Sequence, residues 1–287
     1  MTDRVKGGFA LFSSSVILAS YGPLIRILAE MFGNYAQVAI RISLTSIFLL
    51  IFGLIFGKIR KFTRAQIFLA ISLGVASAGG IIFFTLGVVQ VKIATAAFLL
   101  FASSMISTLI LGKVFFKETL GFRKIIVLGL SFIGLFLFAD PQIVFSFGMI
   151  MCLLSGIFVG IGYCVRKGLK HVDRTTVLLY QLVTTGIIAS ILMLFTAEPI
   201  IKVVSVTAIV ILVVFAIAHL AVSYLLLFGF QNFDVNIGTV ILSLELFFAT
   251  IFGYILYGEI LAMNELIGGF MILVASILST WEFKKAT

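Results

Sequence analysis

The sequence predicts an all-α integral membrane protein of ten transmembrane helices, arranged as two inverted five-helix repeats. Three observations carry that expectation. First, 62% of the 287 residues are hydrophobic and only 11% are charged, with a mean hydropathy of +1.29, where soluble domains hold roughly 45–50% apolar and about 25% charged residues. Twenty basic and eleven acidic residues cannot clothe a soluble particle of this size, so lipid must supply the exterior. Second, the apolar residues fall into ten runs, each near the roughly 20 residues that a helix needs to cross a bilayer. Third, a shift of about 140 positions lays the first five runs over the last five.

The first run, 8–29, follows Arg4 and Lys6, is too long for a signal-peptide core and lacks a small-x-small cleavage site, so it is expected to remain as a span. Its Gly22-Pro23 pair is the expected helix break, because proline removes a backbone hydrogen bond. The second run, 35–57, holds Arg41 and a Gly53-x-x-x-Gly57 spacing suited to close helix approach. The third, 65–89, contributes Ser77 and Thr85, and the fourth and fifth, 94–116 and 120–139, flank Lys117-Glu118. In the sixth, 144–165, Gly156-x-x-x-Gly160 repeats the close-packing pattern, and Gly160 and Gly162 form the weak point that answers Gly22-Pro23. Cys152 and Cys164 lie on that one helix about 18 Å apart, too far for a disulfide. Tyr180 and Gln181 fall in the seventh run (175–196), His219 and Tyr224 in the eighth (203–230), and Glu245 in the ninth (235–257). The tenth, 263–281, ends at Trp281 beside Lys284 and Lys285, an expected interface anchor.

Cytoplasmic loops carry the excess of lysine and arginine. Sixteen of the twenty basic residues fall on the N-terminal side of this layout: Arg4, Lys6, Lys58, Arg60, Lys61, Arg64, Lys113, Lys117, Arg123, Lys124, Arg166, Lys167, Lys170, Arg174, Lys284 and Lys285. The opposite side has only Lys92 and Lys202, while Arg26 and Arg41 lie within spans. Both termini are therefore expected in the cytoplasm, with the protein in the inner or plasma membrane. This distribution accounts for the net charge of +9 through topology and lipid headgroups, and removes nucleic acid as the expected partner.

The repeat matches Gly8 to Gly148, Ser15 to Ser155, Gly22 to Gly162, Arg26 to Arg166 and Thr45 to Thr185, dividing the chain into 1–140 and 141–287. Five spans is an odd number, so the second copy enters the membrane from the opposite side. Inverted repeats serve alternating access in transporters, although duplication can also simply build a stable bundle.

The 5+5 layout, Lys117-Glu118 matched by Gly258-Glu259, the stretch "SLELFF" at 243–248 and Arg41 in the second span resemble the drug/metabolite transporter superfamily, and within it the EamA-like proteins. Leu246 stands where the family usually has proline, which argues against a kink in the ninth helix, and Tyr21-Gly22 replaces a frequent Trp-Gly. The resemblance implies a secondary transporter exporting amino acids or related small metabolites. An importer or facilitator of such compounds, or a non-transport assembly protein, are the competing classes.

Charged side chains at bilayer depth face a cavity or a partner. Glu245 sits about 15 Å from its helix end, out of reach of headgroups, and must be neutral, paired or hydrated; exchange of its proton makes it the first coupling candidate. His219 is the second, since imidazole exchanges protons near neutral pH, though an interhelical hydrogen bond is its simpler role. Arg41 either snorkels to the interface or meets an anionic group, Glu245 or a cargo carboxylate. The candidate substrate-binding set is Glu245, Arg41, His219, Tyr21, Ser14, Tyr180, Gln181 and Tyr224. Arg26 reads as a solvated pair with Glu30, and Glu118 and Glu259 as structural residues at helix ends. There is no His-Glu-x-x-His, Gly-x-Ser-x-Gly, P-loop or metal-spaced Cys/His pattern, so neither an enzyme nor a metal or other cofactor is expected.

Overall fold

The computed structural model describes residues 3–118, 121–137, 146–169, 172–196, 198–203, 205–258 and 262–280. Lys170, Glu259, Trp281, Lys284 and Lys285, and the expected repeat boundary at 140, lie outside them. The helices are α1 (Asp3–Ala19), α2 (Tyr21–Met31), α3 (Asn34–Ile55), α4 (Arg64–Val88), α5 (Ile93–Phe116), α6 (Phe122–Phe136), α7 (Phe147–Gly168), α8 (Arg174–Phe195), α9 (Val206–Asn232), α10 (Val235–Leu242), α11 (Leu244–Tyr257) and α12 (Met263–Thr280). Among the described residues eight segments are long and apolar enough to cross a membrane: Asp3–Met31, α3, α4, α5, α7, α8, α9 and Val235–Leu256. The 15 residues of α6, and the apolar part of α12 (Leu266–Leu278), fall short of a full crossing by that measure. Leu54, Phe68, Ile110, Phe136 and Phe195 stand exposed on the outside, as lipid-facing side chains do. The chain is a multi-pass membrane protein.

Connections alternate between two ends. At one, Arg4 lies over the Phe233 ring, Lys124 pairs with Asp234, and the Arg60 N–H donates to Thr176. At the other, Phe32 bridges to Ile201, Glu198 accepts from the backbone and side chain of Asn34, and Asn264 donates to the Leu137 carbonyl. The first end carries Lys58, Arg60, Lys61 and Lys117, four of the six described basic residues that lie outside the helices, and is called here the basic end.

Packing crosses between the repeats. α4 and α5 lie on α7, and α9 and α11 lie on α1; α3 pairs with α8, and α6 with α12. Exchanging the two copies maps each of these pairs onto another or onto itself, so the duplication read in the sequence is also a symmetry of the contacts. Glycine sets the closeness of the α5–α7 seam: a Cβ at Gly156 would meet the Leu100 carbonyl and Ser103 Oγ, and one at Gly160 would lie 3.0 Å from the Ser104 carbonyl. Gly156-x-x-x-Gly160 is thus a packing surface, as its spacing suggests. Gly57 is not: it holds φ of +57° in the turn after α3 with nothing within 4 Å of its side-chain position, and only Gly53 of that pair packs, against Ile59 and Thr175.

Of the two expected helix breaks, the first lies within a turn of its expected place and the second lies on another helix. The first span bends at Ser20, ahead of Gly22-Pro23, where Ser20 Oγ donates to the Ile17 carbonyl at 2.7 Å. Pro23 acts from one turn on, because its missing N–H is the donor that would otherwise reach back to Ala19. Gly22 packs against Ile93. α7 runs unbroken through Gly160, which packs closely on Ser104 and Ser107, and through Gly162, whose nearest neighbour is the Arg166 guanidinium. The second break falls in the ninth span at Ser243, whose Oγ donates to the Val240 carbonyl at 2.7 Å, so a kink forms there with Leu246 in place of proline.

At the basic end Glu118 ties together three helices, α5, α7 and α10. Its Oε1 accepts from Lys167 Nζ and from the Val235 N–H at 3.0 Å, and its Oε2 accepts from Asn236 Nδ2 at 2.7 Å. The carboxylate thereby caps α10 from the end of α5, while Asp234 takes Lys124 at 2.8 Å and Lys167 at 3.5 Å. Burial works to raise the Asp234 carboxyl, but the hydrogen bond and charge of Lys124, with Lys167 and Arg4, outweigh it and hold it below the usual aspartate range. Its stabilising contribution is therefore present above about pH 3.9 and is lost only as the pH falls further.

Two outcomes follow. Glu118→Ala uncaps α10 and leaves Lys167 without its closest partner, at an expected cost of about 3 kcal/mol, read as a lower unfolding midpoint in detergent; Glu118→Gln, which keeps an acceptor, loses less. Gly156→Ala should cost about 1–3 kcal/mol by forcing α5 and α7 apart, whereas Gly129→Ala on α6, with open space around it, should gain up to about 1 kcal/mol.

Candidate functional site

A cavity of about 120 Å³ lies between the repeats, lined from α4, α5, α7, α8, α9, α11 and the bend between α1 and α2. Its apolar wall includes Leu18, Ile81, Phe84, Leu100, Val159, Val222 and Leu226, and its polar lining is Tyr21, Ser77, Tyr163, Arg166, Gln181, His219, Ser223 and Glu245. At roughly 30 Å³ per water, the space suits a few waters or one small cargo.

Glu245 lies in the first turn of α11, two residues past the break at Ser243, and lines the cavity. It is 7% exposed and forms no ion pair within the described residues. Tyr21 and Tyr163 both lie within electrostatic reach of it. His219, at the middle of α9, places Nδ1 3.4 Å from the Tyr21 hydroxyl, and its Nε2 has no hydrogen-bond partner. No neighbour on its own helix would have shown this arrangement; Tyr21 arrives from the first span.

Arg41 does not snorkel and does not meet Glu245. It is 2% exposed, donates to Thr85 Oγ1 at 2.9 Å, and lies 4.4 Å over the Phe215 ring. Phe215 in turn packs 4.4 Å from the Tyr21 ring. The guanidinium therefore stands behind an aromatic screen and is not part of the lining, with Nε and Nη1 unpaired.

Of the other expected residues, Gln181 lines the cavity and three do not. Ser14 donates to the Ala10 carbonyl within its own helix, as serines in apolar helices do. Tyr180 stacks on Phe62 at the basic end. Tyr224 donates to Thr175 Oγ1 and lines a second, open groove of about 860 Å³ between α3, α8 and α9. Thr85 and Thr185 bond the carbonyls of Ile81 and Gly74. Arg26 ties α2 to the α4–α5 turn through the carbonyls of Val88 and Val91. Both cysteines are free and buried.

Arg166 is the residue that sequence reasoning misplaced. Counted among the basic-end charges, it is instead 6% exposed and lines the cavity. Its neighbours Lys167 and Arg174 do face that end, so a cluster of like residues hid it. The signal was Gly162 one turn earlier: a Cβ there would lie 3.2 Å from Arg166 Nη1, so the missing side chain leaves room for the guanidinium to fold back along α7.

The comparisons agree with this architecture. A crystal structure of another protein superposes with a TM-score of 0.76, covering 95% of this chain and 96% of that one at 13% identity, a likeness of fold alone. No curated protein matches the sequence. The model of the EamA-like transporter family matches twice, over residues 5–139 and 146–281. With a family match on each copy spanning nearly the whole chain, the protein belongs to the EamA-like transporter family.

Proposed function

We propose that the protein exports small organic metabolites, amino acids or related compounds, by alternating access, with Glu245 exchanging a proton for the cargo. The observation that carries the reading is a carboxylate at mid-span, without an ion-pair partner among the described residues, lining a cavity shared by the two repeats. On this reading α6 and α12, which pack on each other, complete ten crossings in two antiparallel copies. The basic end faces the cytoplasm of a cell's inner or plasma membrane, with both termini there.

Exchange needs proton and cargo to compete for one group. A cargo that brings its own cation to Glu245 displaces the proton by the ordinary rule of charge, and the proton displaces the cargo on return. A cargo without a cation would bind best beside the protonated acid and travel with the proton instead. The proposed exchange therefore favours compounds with an amine. His219, 3.4 Å from Tyr21, is a second stopping place for the proton on the same wall. The broken spans meet here, α11 beside α2, and each half-helix can tilt about its serine without unravelling the other half.

The test is flux in reconstituted vesicles loaded with a mixture of amino acids, with and without an imposed pH gradient. Efflux is expected to accelerate with protons supplied from the far side, and Glu245→Gln is expected to lose at least tenfold of that acceleration while remaining folded. Unchanged gradient-driven flux in the variant removes the proton role. Accumulation inward at steady state would make the protein an importer, and no flux across a broad metabolite panel would replace transport by an assembly role.

A further inference from the structure

We infer that Arg166 is a carboxylate anchor, so that every cargo of this protein carries a carboxylate and is gripped by it at the inner wall of the cavity. The inference rests on the transport reading above and adds the chemical class of the cargo to it.

Arg166 lies in the last turn of α7, close enough to the basic end for its long side chain to reach water. Lys167, next in sequence, does that and finds Glu118. Arg166 turns the other way, back over Gly162 and into the cavity. A guanidinium pointed into the membrane interior is costly unless it is paired, and among the described residues no carboxylate pairs with it: a ring contact with Tyr163 at 5.9 Å is what they offer, and its Nε has no hydrogen-bond partner. Glu245 shares the same cavity but forms no ion pair with it.

The surroundings of the guanidinium are built for a guest. Gln181, 1% exposed, stands on the same lining with its Oε1 unpaired, and Ser77 Oγ is also unpaired. Unpaired buried polar atoms are costly, and several of them converging on one hollow mark a place that another molecule fills. The planar fork of arginine fits the two oxygens of a carboxylate. Beyond this polar floor the wall is apolar, with Ile81, Val159, Val222 and Leu226. The shape therefore takes a compact acid with a small hydrocarbon body.

The experiment is ligand-induced stabilisation and direct binding on the purified full chain in detergent, with matched pairs that differ only at the carboxylate: leucine against leucinamide, and isovalerate against isovaleramide. At least one acid is expected to raise the unfolding midpoint and bind, and its amide to bind at least tenfold more weakly. Arg166→Gln is expected to erase the preference for acid over amide, and Arg166→Lys, which keeps the charge without the fork, to retain part of it. Gln181→Leu, at a position distant from the helix end, is expected to weaken the acid while leaving the midpoint of the unliganded protein near that of the wild type, and keeps the test open if Arg166→Gln fails to fold. An amide that binds as well as its acid, an acid preference that survives Arg166→Gln, or no binding of either acid overturns the inference. Because binding is read without flux, the two readings separate: Arg166-dependent binding of an acid that is never carried leaves the anchor and removes transport, while flux of a compound lacking a carboxylate leaves transport and removes the anchor.

Discussion

Hydrocarbon does not tolerate a lone ionisable group, and the interior of this protein is arranged around that intolerance. Among the described residues Arg41, Arg166 and Glu245 are charged-type side chains inside spans, less than a tenth exposed and not ion-paired. They are accommodated in two ways. Arg41 is covered by a ring and held by a threonine. Arg166 and Glu245 are given a hollow. The hollow lies beside both serine breaks, between repeats that glycines draw together elsewhere.

The ends of the molecule use the opposite solution. There the charges are paired, at Glu118, Lys167, Asp234 and Lys124 on the basic side, and at Glu198 with Asn34 on the other. Strong polar ties at both ends and unpaired polar atoms in the middle amount to a division of labour. The ends hold shape, and the centre keeps its hydrogen-bonding capacity unspent.

Much of this was legible in the sequence. Hydropathy located the helices to within a few residues, because apolar length is a one-dimensional property that the bilayer imposes directly. The offset of about 140 positions was equally readable, and the cross-repeat contacts carry its image. Side-chain direction was not readable. Gln181, His219, Tyr21 and Glu245 reach one cavity while Ser14, Tyr180 and Tyr224 do not, although all seven are polar residues in apolar runs. Which face of a helix meets the centre depends on its rotation against neighbours distant in sequence. The second break was missed for a related reason: Ser243, which bonds its own preceding turn, leaves no mark as loud as proline, and Gly160 in α7 is bound up in packing.

The glycine seams have a mechanical consequence. α7, from the second copy, is fastened to α4 and α5 of the first wherever Gly80, Gly87, Gly156 and Gly160 bring backbones nearly together. On the far side, α1 is fastened to α9 by Gly7 and Gly229 in the same manner. Surfaces locked at that distance slide poorly, so each set travels as one piece. The tightly packed pieces are then not the two ancestral copies but two mixed assemblies, each borrowing a member from its counterpart, and a cut of the gene at its midpoint would sever both.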